Sequence, residues 1–404
     1  MGKRWSEMSR YLRLLLGFVL LASLASHRAD ADIAPNPLTG GWPVSPYEEG
    51  TTDVRMVAED VVVRIYADSI VTVGSFSMRN EGKTVDMVVG FPFPYEEDLI
   101  SFRAFVDGEP VEVRGAEKQH SGESKTWTTY WKVWDTAFPR GRTCEIRVEY
   151  KAKPSESLNW FYRRESYGSV PTDVLETCRQ ATTIGNVHYT LETGEAWKGI
   201  LDRCRVSFEF VGMSDANIRS YLPNDGVVTK NGIVWEYTEY EPRGWINLEY
   251  FPNLPAQQIP EVLLGVVERF PGNPQLASDV GRFCAAYLGR NDLQCEIYHS
   301  FLASWDKPIP QLMEYASGGR CRFNYQAEGG FFAVWSMASL LFKQYQTTGE
   351  VERGKDIAPT VSLMSGAIMD SLDTCSGLPE NSGWLVREAR ALRDLCNKLI
   401  TGSE

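Results

Sequence analysis

The chain has 404 residues, of which 43% are hydrophobic and 23% charged, an ordinary globular composition long enough for two or three domains. Its formal net charge is −12, and no basic stripe breaks that sign, which excludes a phosphate backbone or an anionic lipid surface as a natural partner. Twelve Trp, 18 Tyr and 18 Phe suit β-sheet cores or stacking surfaces.

Residues 1–31 read as a cleaved signal peptide. Lys3, Arg4, Arg10 and Arg13 form a positive start, Leu14 to Ala25 is an apolar run, and Ala29-Asp30-Ala31 fits a small-x-small cleavage site. The run is shorter than the roughly 20 residues a bilayer span requires. Cleavage after Ala31 leaves Asp32 at the mature N-terminus and a secreted or periplasmic protein with no membrane span. Removal of five basic and two acidic residues takes the charge from −12 to −15. The expected export makes the eight cysteines, Cys144, Cys178, Cys204, Cys284, Cys295, Cys321, Cys375 and Cys396, disulfide candidates, with connectivity left open and burial as small hydrophobes as the alternative. No Asn-x-Ser/Thr acceptor follows the signal, which favours a bacterial source.

Residues 32–55 are rich in Pro and Gly and read as an extended lead-in. From Asp60 to Pro94 the period is two. Val61, Val63 and Ile65 alternate with their neighbours, as do Ile70, Thr72, Phe76 and Met78, then Val85, Met87, Val89 and Phe91. Three antiparallel strands follow, turned at Asp68-Ser69 and Asn80-Glu81-Gly82 and stopped by Pro92 and Pro94. Ile100 to Val106 and Val111 to Arg114 form a hairpin about Asp107-Gly108. A polar loop (GAEKQHSGESK) comes next, then strands at 126–134 and 144–150. Residues 56–152 thus read as one β-sandwich domain.

Residues 153–183 form a less regular connector around Trp160-Phe161-Tyr162. A second β run, with strands at 187–191, 203–211, 233–237 and 245–250 and a turn at Lys230-Asn231-Gly232, is either a second, smaller β domain within 153–252 or the completion of the first. At residues 253–260 prolines mark a linker, and beyond it the period shifts to about 3.6. The first helix carries Val262, Leu263, Val266, Val267 and Phe270 on one face. Further helices fit 274–288, 291–305, 308–316, 330–347, 359–373 and 382–401, forming an α-helical domain over 261–404 with the apolar segment 331–342 at its centre. The fold class expected is α+β and multidomain, an antiparallel β-sandwich region followed by an α-helical bundle.

The pattern VVVRIYADSIVTVGSFSMRNEGKTVDMVVGFPFP resembles the N-terminal β module of vault and inter-alpha-trypsin inhibitor proteins, and also a bacterial exported family, domain of unknown function 4424. Val187 to Gly194 followed by Trp197-Lys198-Gly199, and Gly232 to Tyr237 followed by Glu241-Pro242, look like that bacterial family's strand patterns. The resemblance covers about residues 50–250. It implies an exported scaffold and transfers no catalytic residue.

Five constellations bear on chemistry. In the run 126–134, Trp127, Thr129, Trp131 and Val133 share one strand face, and Tyr130, Lys132 and Trp134 the other. Trp127, Tyr130, Trp131 and Trp134 could be a stacking platform for sugar rings, or simply core. Cys295 and His299 stand i, i+4 on a helix, two potential metal ligands without a recognisable third. The mature chain holds His120, His188 and His299 and no GxSxG elbow, so a Ser–His catalytic set is not indicated. Glu96-Glu97-Asp98 reads as solvated surface, and Gly329-Gly330 lacks the Lys of a phosphate-binding loop. The expectation is an exported, non-catalytic cell-envelope protein without a cofactor, binding an envelope protein or a glycan. The alternatives are a carbohydrate-active protein using the 126–134 aromatics and a metal-dependent enzyme at Cys295 and His299.

Overall fold

The computed structural model describes residues 34–35, 52–93, 98–121, 126–157, 160–161, 167–168, 170–191, 196–241, 243–304, 313–316, 320–323, 325–373 and 383–401. The signal segment, most of the lead-in, and Glu96 and Glu97 lie outside these residues. The chain is α+β and divides into two units, one of residues 1–158 and 183–256, the other of 159–182 and 257–404.

In the first unit, β1 (Ala34–Pro35), β2 (Val54–Ile65), β3 (Ile70–Asn80), β4 (Val85–Phe93), β5 (Leu99–Val106), β6 (Glu109–Pro110), β7 (Arg114–Ser121), β8 (Thr126–Phe138), β9 (Thr143–Ala152) and β10 (Ser155–Ser157) precede an excursion into the second unit. The chain returns with β11 (Ile184–Thr190), β12 (Leu201–Phe210), β13 (Ile218–Leu222), β14 (Val227–Thr229), β15 (Gly232–Tyr240) and β16 (Trp245–Tyr250). They form an eight-stranded sheet ordered β14-β15-β12-β2-β3-β9-β5-β6 and two four-stranded sheets, β1-β4-β8-β7 and β10-β11-β16-β13.

The second β run completes the first. β12 lies along β2, with Cys204 opposite Glu59 and Phe208 opposite Val63. This pair is parallel, unlike the antiparallel pairing expected throughout. β3 already occupies one edge of β2, and β12 approaches the other edge after a long crossover, which leaves its direction unconstrained by a hairpin. One core draws on all three sheets: Val61, Val63, Ile65, Phe76 and Ile146 from the large sheet, Phe91, Phe93 and Trp134 from the second, and Val187, Tyr189, Ile246 and Leu248 from the third. Phe91, Phe93, Phe102 and Tyr150 meet with ring centroids 5.2 to 5.7 Å apart.

Three local expectations change. Pro92 does not stop β4, which runs through Phe93 opposite Tyr130. β1 covers β4 only at Val89 and Gly90, so the ring of Pro92 interrupts no ladder on that side. The polar loop after Arg114 is strand β7, paired residue for residue with β8, with His120 opposite Trp127. Charged residues suit an edge strand, and they conceal its alternation. The tight turn after β5 is as expected, with Asp107 and Gly108 both at positive φ (51° and 86°), but the returning strand is Glu109–Pro110 rather than Val111 to Arg114, and Arg114 opens β7 in another sheet.

The second unit holds α1 (Thr172–Thr182), α2 (Ile259–Arg269), α3 (Pro274–Leu288), α4 (Asn291–Ala303), a hairpin of β17 (Met313–Ala316) and β18 (Arg320–Phe323), α5 (Tyr325–Thr348), α6 (Val351–Asp373) and α7 (Gly383–Thr401). Asn273 caps α3 through its side chain, and Gly289 ends it in the left-handed region at φ 66°. α5 buries Val334, Trp335, Met337, Ala338, Leu341 and Phe342. The helix expected at 308–316 is a strand over Met313–Ala316, because Met313 and Tyr315 pair with Phe323 and Cys321 at a period of two. α6 starts eight residues before Pro359, which the helix tolerates in its interior. Residues 159–182, expected to link β domains, belong to this unit. Trp160 meets Phe283 at 6.0 Å and Tyr287 at 5.4 Å, with the Arg282 guanidinium 5.5 Å from its ring. Among the described residues no helix is long and apolar enough to cross a membrane.

Candidate functional site

The aromatic run is mostly interior. Trp134 is 0% exposed in the main core, and Trp131 is 3% exposed in a smaller cluster with Ala34 and Val133. Tyr130 packs half-buried against the main core. The side chain of Trp127 lies outside the described residues. A sugar-stacking platform on Trp131 and Trp134 is therefore corrected: Trp134 is buried in the main core, and Trp131 is buried on the opposite face of β8 in a cluster with Ala34 and Val133, against which Val88 and Ala116 pack.

The sheet interior holds one carboxyl that the alternation of Val61, Val63 and Ile65 places on the core side. Glu59 is 0% exposed. A bulge between Met56 and Ala58 keeps Val54 and Met56 inward as well. Tyr189 of β11 donates its hydroxyl to Glu59 Oε1, and the Cys204 thiol donates to Oε2 at 3.4 Å. Burial pushes the Glu59 carboxyl up to about 7, while the two donors oppose that rise by favouring the charged form. Tyr237 and Tyr240 stack nearby at 4.5 Å, and Asp225 accepts from the Tyr237 hydroxyl at 3.1 Å. Such a perturbed carboxyl marks functional sites and structural networks alike. Glu59 lies between sheets with both oxygens engaged, so it acts here as a polar pin between β2, β11 and β12.

The same strand that sends Tyr189 inward sends its neighbours outward. In β11 and β16, Val187, Tyr189, Ile246 and Leu248 point to the core, whereas Asn186 pairs with Glu249, His188 with Asn247 and Thr190 with Trp245 on the opposite face. β13 extends two of these rows with Ser220 and Leu222. Trp245 is 48% exposed, the one exposed tryptophan among those described, and the His188 ring lies 5.9 Å from it at a 34° tilt. Glu249 accepts from Ser220 at 2.7 Å and forms an ion pair with Arg219. The face joins an aromatic plate to an imidazole, two carboxamides and a neutralised carboxylate. Its signal is legible in WINLEY, where Ile, Leu and Tyr alternate with Trp, Asn and Glu.

The other sequence candidates are engaged separately. Cys295 donates to Gln344 Oε1 at 3.0 Å, whereas His299 Nδ1 meets the Tyr345 hydroxyl at 3.0 Å and its Nε2 lies 4.0 Å from Asp356. Among the described residues no three His, Cys, Asp or Glu side chains converge in a metal-ligating group. Cys144, Cys178, Cys284, Cys295 and Cys396 are buried thiols rather than half-cystines, as is Cys204 beside Glu59. Burial pushes Cys144, Cys178 and Cys396 up to about 12 and Cys284 to about 11, which suppresses the reactive thiolate. The side chains of Cys321 and Cys375 lie outside the described residues. Around the sequence's Trp160 segment, Asp279 is nearly buried and accepts from Tyr167 at 2.7 Å and Gln275 at 2.8 Å, while Asn273 Nδ2 donates to the Tyr167 carbonyl at 2.7 Å. These bonds tie Tyr167 to α3. On the outer face of the large sheet, an open groove of about 360 Å³ carries Arg64 paired with Glu209 at 3.5 Å and Arg205 paired with Glu236 at 3.2 Å.

The class defined by these features is an α+β protein with a multi-sheet core in its sheet unit. No protein-family model matches the chain, and no curated protein matches it. Among solved structures it is similar to a protein from Legionella pneumophila described as nutrient binding, with 12% identity and a TM-score of 0.42 over 77% of this chain and 98% of that one. It is also similar to an M1 zinc metallopeptidase from Deinococcus radiodurans, with 12% identity and a TM-score of 0.21 over 50% of this chain and 39% of that one. Likenesses at these scores carry no inference about activity.

Proposed function

We propose that the chain is an exported, non-catalytic protein of the bacterial cell envelope with a binding role, built as a β-sandwich unit followed by an α-helical bundle. The observation that carries the binding role is the exposed indole of Trp245 on the outward face of β11 and β16. Glu59, Cys295, His299 and Asp279, by contrast, are held by internal partners. The signal-like residues 1–31 support a secreted or periplasmic location, as does the resemblance of residues 50–250 to an exported family. The net charge of −12 argues against nucleic acid and leaves an envelope protein or a glycan as partner.

Expression of the full chain with a C-terminal tag in a bacterial host, followed by fractionation and N-terminal analysis, tests the location. The expected product is periplasmic or secreted and starts at Asp32. A cytosolic product that retains residues 1–31 overturns export. A specific hydrolytic turnover lost on substituting one carboxylate overturns the non-catalytic reading.

A further inference from the structure

We infer that residues 160–182 are a docking segment for the helices of residues 259–401, and that side-chain contacts hold the two pieces together even when the linker at 253–258 is cut. The chain reaches the helical unit twice, first with residues 159–182 and again from residue 257, with residues 183–256 of the sheet unit between the two visits. The helical unit is therefore assembled from two segments distant in sequence. Gln257 and Gln258, at the end of the linker, are exposed, so a cut between them removes no buried side chain.

The docking surface is one face of α3. Asp279, Arg282, Phe283 and Tyr287 are spaced by three and four residues and line up along the helix. Trp160 meets that face edge-on, 6.0 Å from Phe283 and 5.4 Å from Tyr287, which stack on each other at 5.3 Å, and the Arg282 guanidinium lies 5.5 Å from its ring. Tyr167 is the second anchor and is 2% exposed. Its hydroxyl donates to Asp279 Oδ2 at 2.7 Å, and its carbonyl accepts from Asn273 Nδ2 at 2.7 Å. Asn273 Oδ1 also accepts from the Leu276 N–H at 2.9 Å, so one carboxamide both caps α3 and holds the segment. α1 packs against α2 and buries Val174, Leu175 and Cys178. Buried aromatic anchors ringed by engaged polar groups carry most of the affinity in interfaces between separate chains. Withdrawal of the segment would take the Tyr167 donor from the buried Asp279 and uncover Phe283, and both changes oppose release.

The test places a site-specific protease sequence between Gln257 and Gln258 of the full chain. The purified protein is cut to completion and passed over a size-exclusion column at micromolar concentration. Co-elution of the two pieces, with separation only in urea, is expected. Sedimentation of the cut protein over a dilution series then gives the dissociation constant. Trp160→Ala should raise it about tenfold or more, and Tyr167→Phe severalfold. The cut double variant Trp160→Ala/Tyr167→Ala should separate into two species. Far-ultraviolet circular dichroism of the uncut variants checks folding, and Tyr167→Phe, which keeps the ring, gives the reading if Trp160→Ala disturbs the fold. Pieces that separate without any substitution, or that remain together equally well in the double variant, overturn the inference. None of these outcomes bears on export or on ligand binding.

Discussion

One strand separates two chemistries. On the inner side of β11, Tyr189 reaches the carboxyl of Glu59 between the sheets; on the outer side, His188 lies beside the exposed ring of Trp245. The inner group is fully enclosed and its oxygens are committed, so its contribution is to stability and to pH response. On the outer side the Trp245 ring is 48% exposed, so its packing contributes less to stability. Aromatic content alone does not distinguish these sides, since Trp131 and Trp134 are as aromatic as Trp245 and are buried.

The sharpest way to break this contrast is to truncate a tryptophan on each side. Trp134→Ala should cost about 3–5 kcal/mol, the usual range for emptying a large core site, read as a lower urea midpoint. An unchanged midpoint would mean that the ring is not core. Next in size is the pH response of Glu59. Its folded value is raised from 4.5 to about 7, so its stability contribution is fully present below about pH 4.5 and is lost as pH rises through 7. That rise of about 2.5 units corresponds to roughly 3 kcal/mol between pH 4.5 and 8. Glu59→Gln, which cannot ionise, should flatten this part of the curve and be more stable than the parent at pH 8. Urea melts at pH 5 and 8 that shift equally for both proteins would contradict the enclosed carboxyl.

Tyr189→Phe should have a smaller effect, about 1–2 kcal/mol, because it removes one donor to Glu59 and keeps the ring. A thermal melt at pH 6 measures it, and no loss would mean that Glu59 finds another donor. The smallest effect belongs to the outer side. Trp245→Ala should change stability by less than about 0.5 kcal/mol, as is usual for an exposed residue. A loss comparable to that of Trp134→Ala would make Trp245 part of the core and remove the open face.

The amino-acid sequence by itself determined the local periods. Val61 to Ile65 and Ile70 to Met78 alternate, and they are strands; residues 274–288 repeat at 3.6, and they are a helix with the expected bounds. These survive because side-chain direction within an element is a local property of the backbone. Alternation in WINLEY already separates Trp245, Asn247 and Glu249 from Ile246, Leu248 and Tyr250, and the alternation of β2 already puts Glu59 on its apolar side. Tertiary structure alone decided what covers each face. β8 reads as a candidate platform until Trp131 and Trp134 prove buried on its two faces, and the second β run reads equally as a separate domain or the completion of the first until β12 lies parallel to β2. β7 reads as a loop because an edge strand needs no apolar face. Pairing between distant strands depends on which edges remain open after the hairpins form, and that information is distributed over the whole chain rather than held in any one segment.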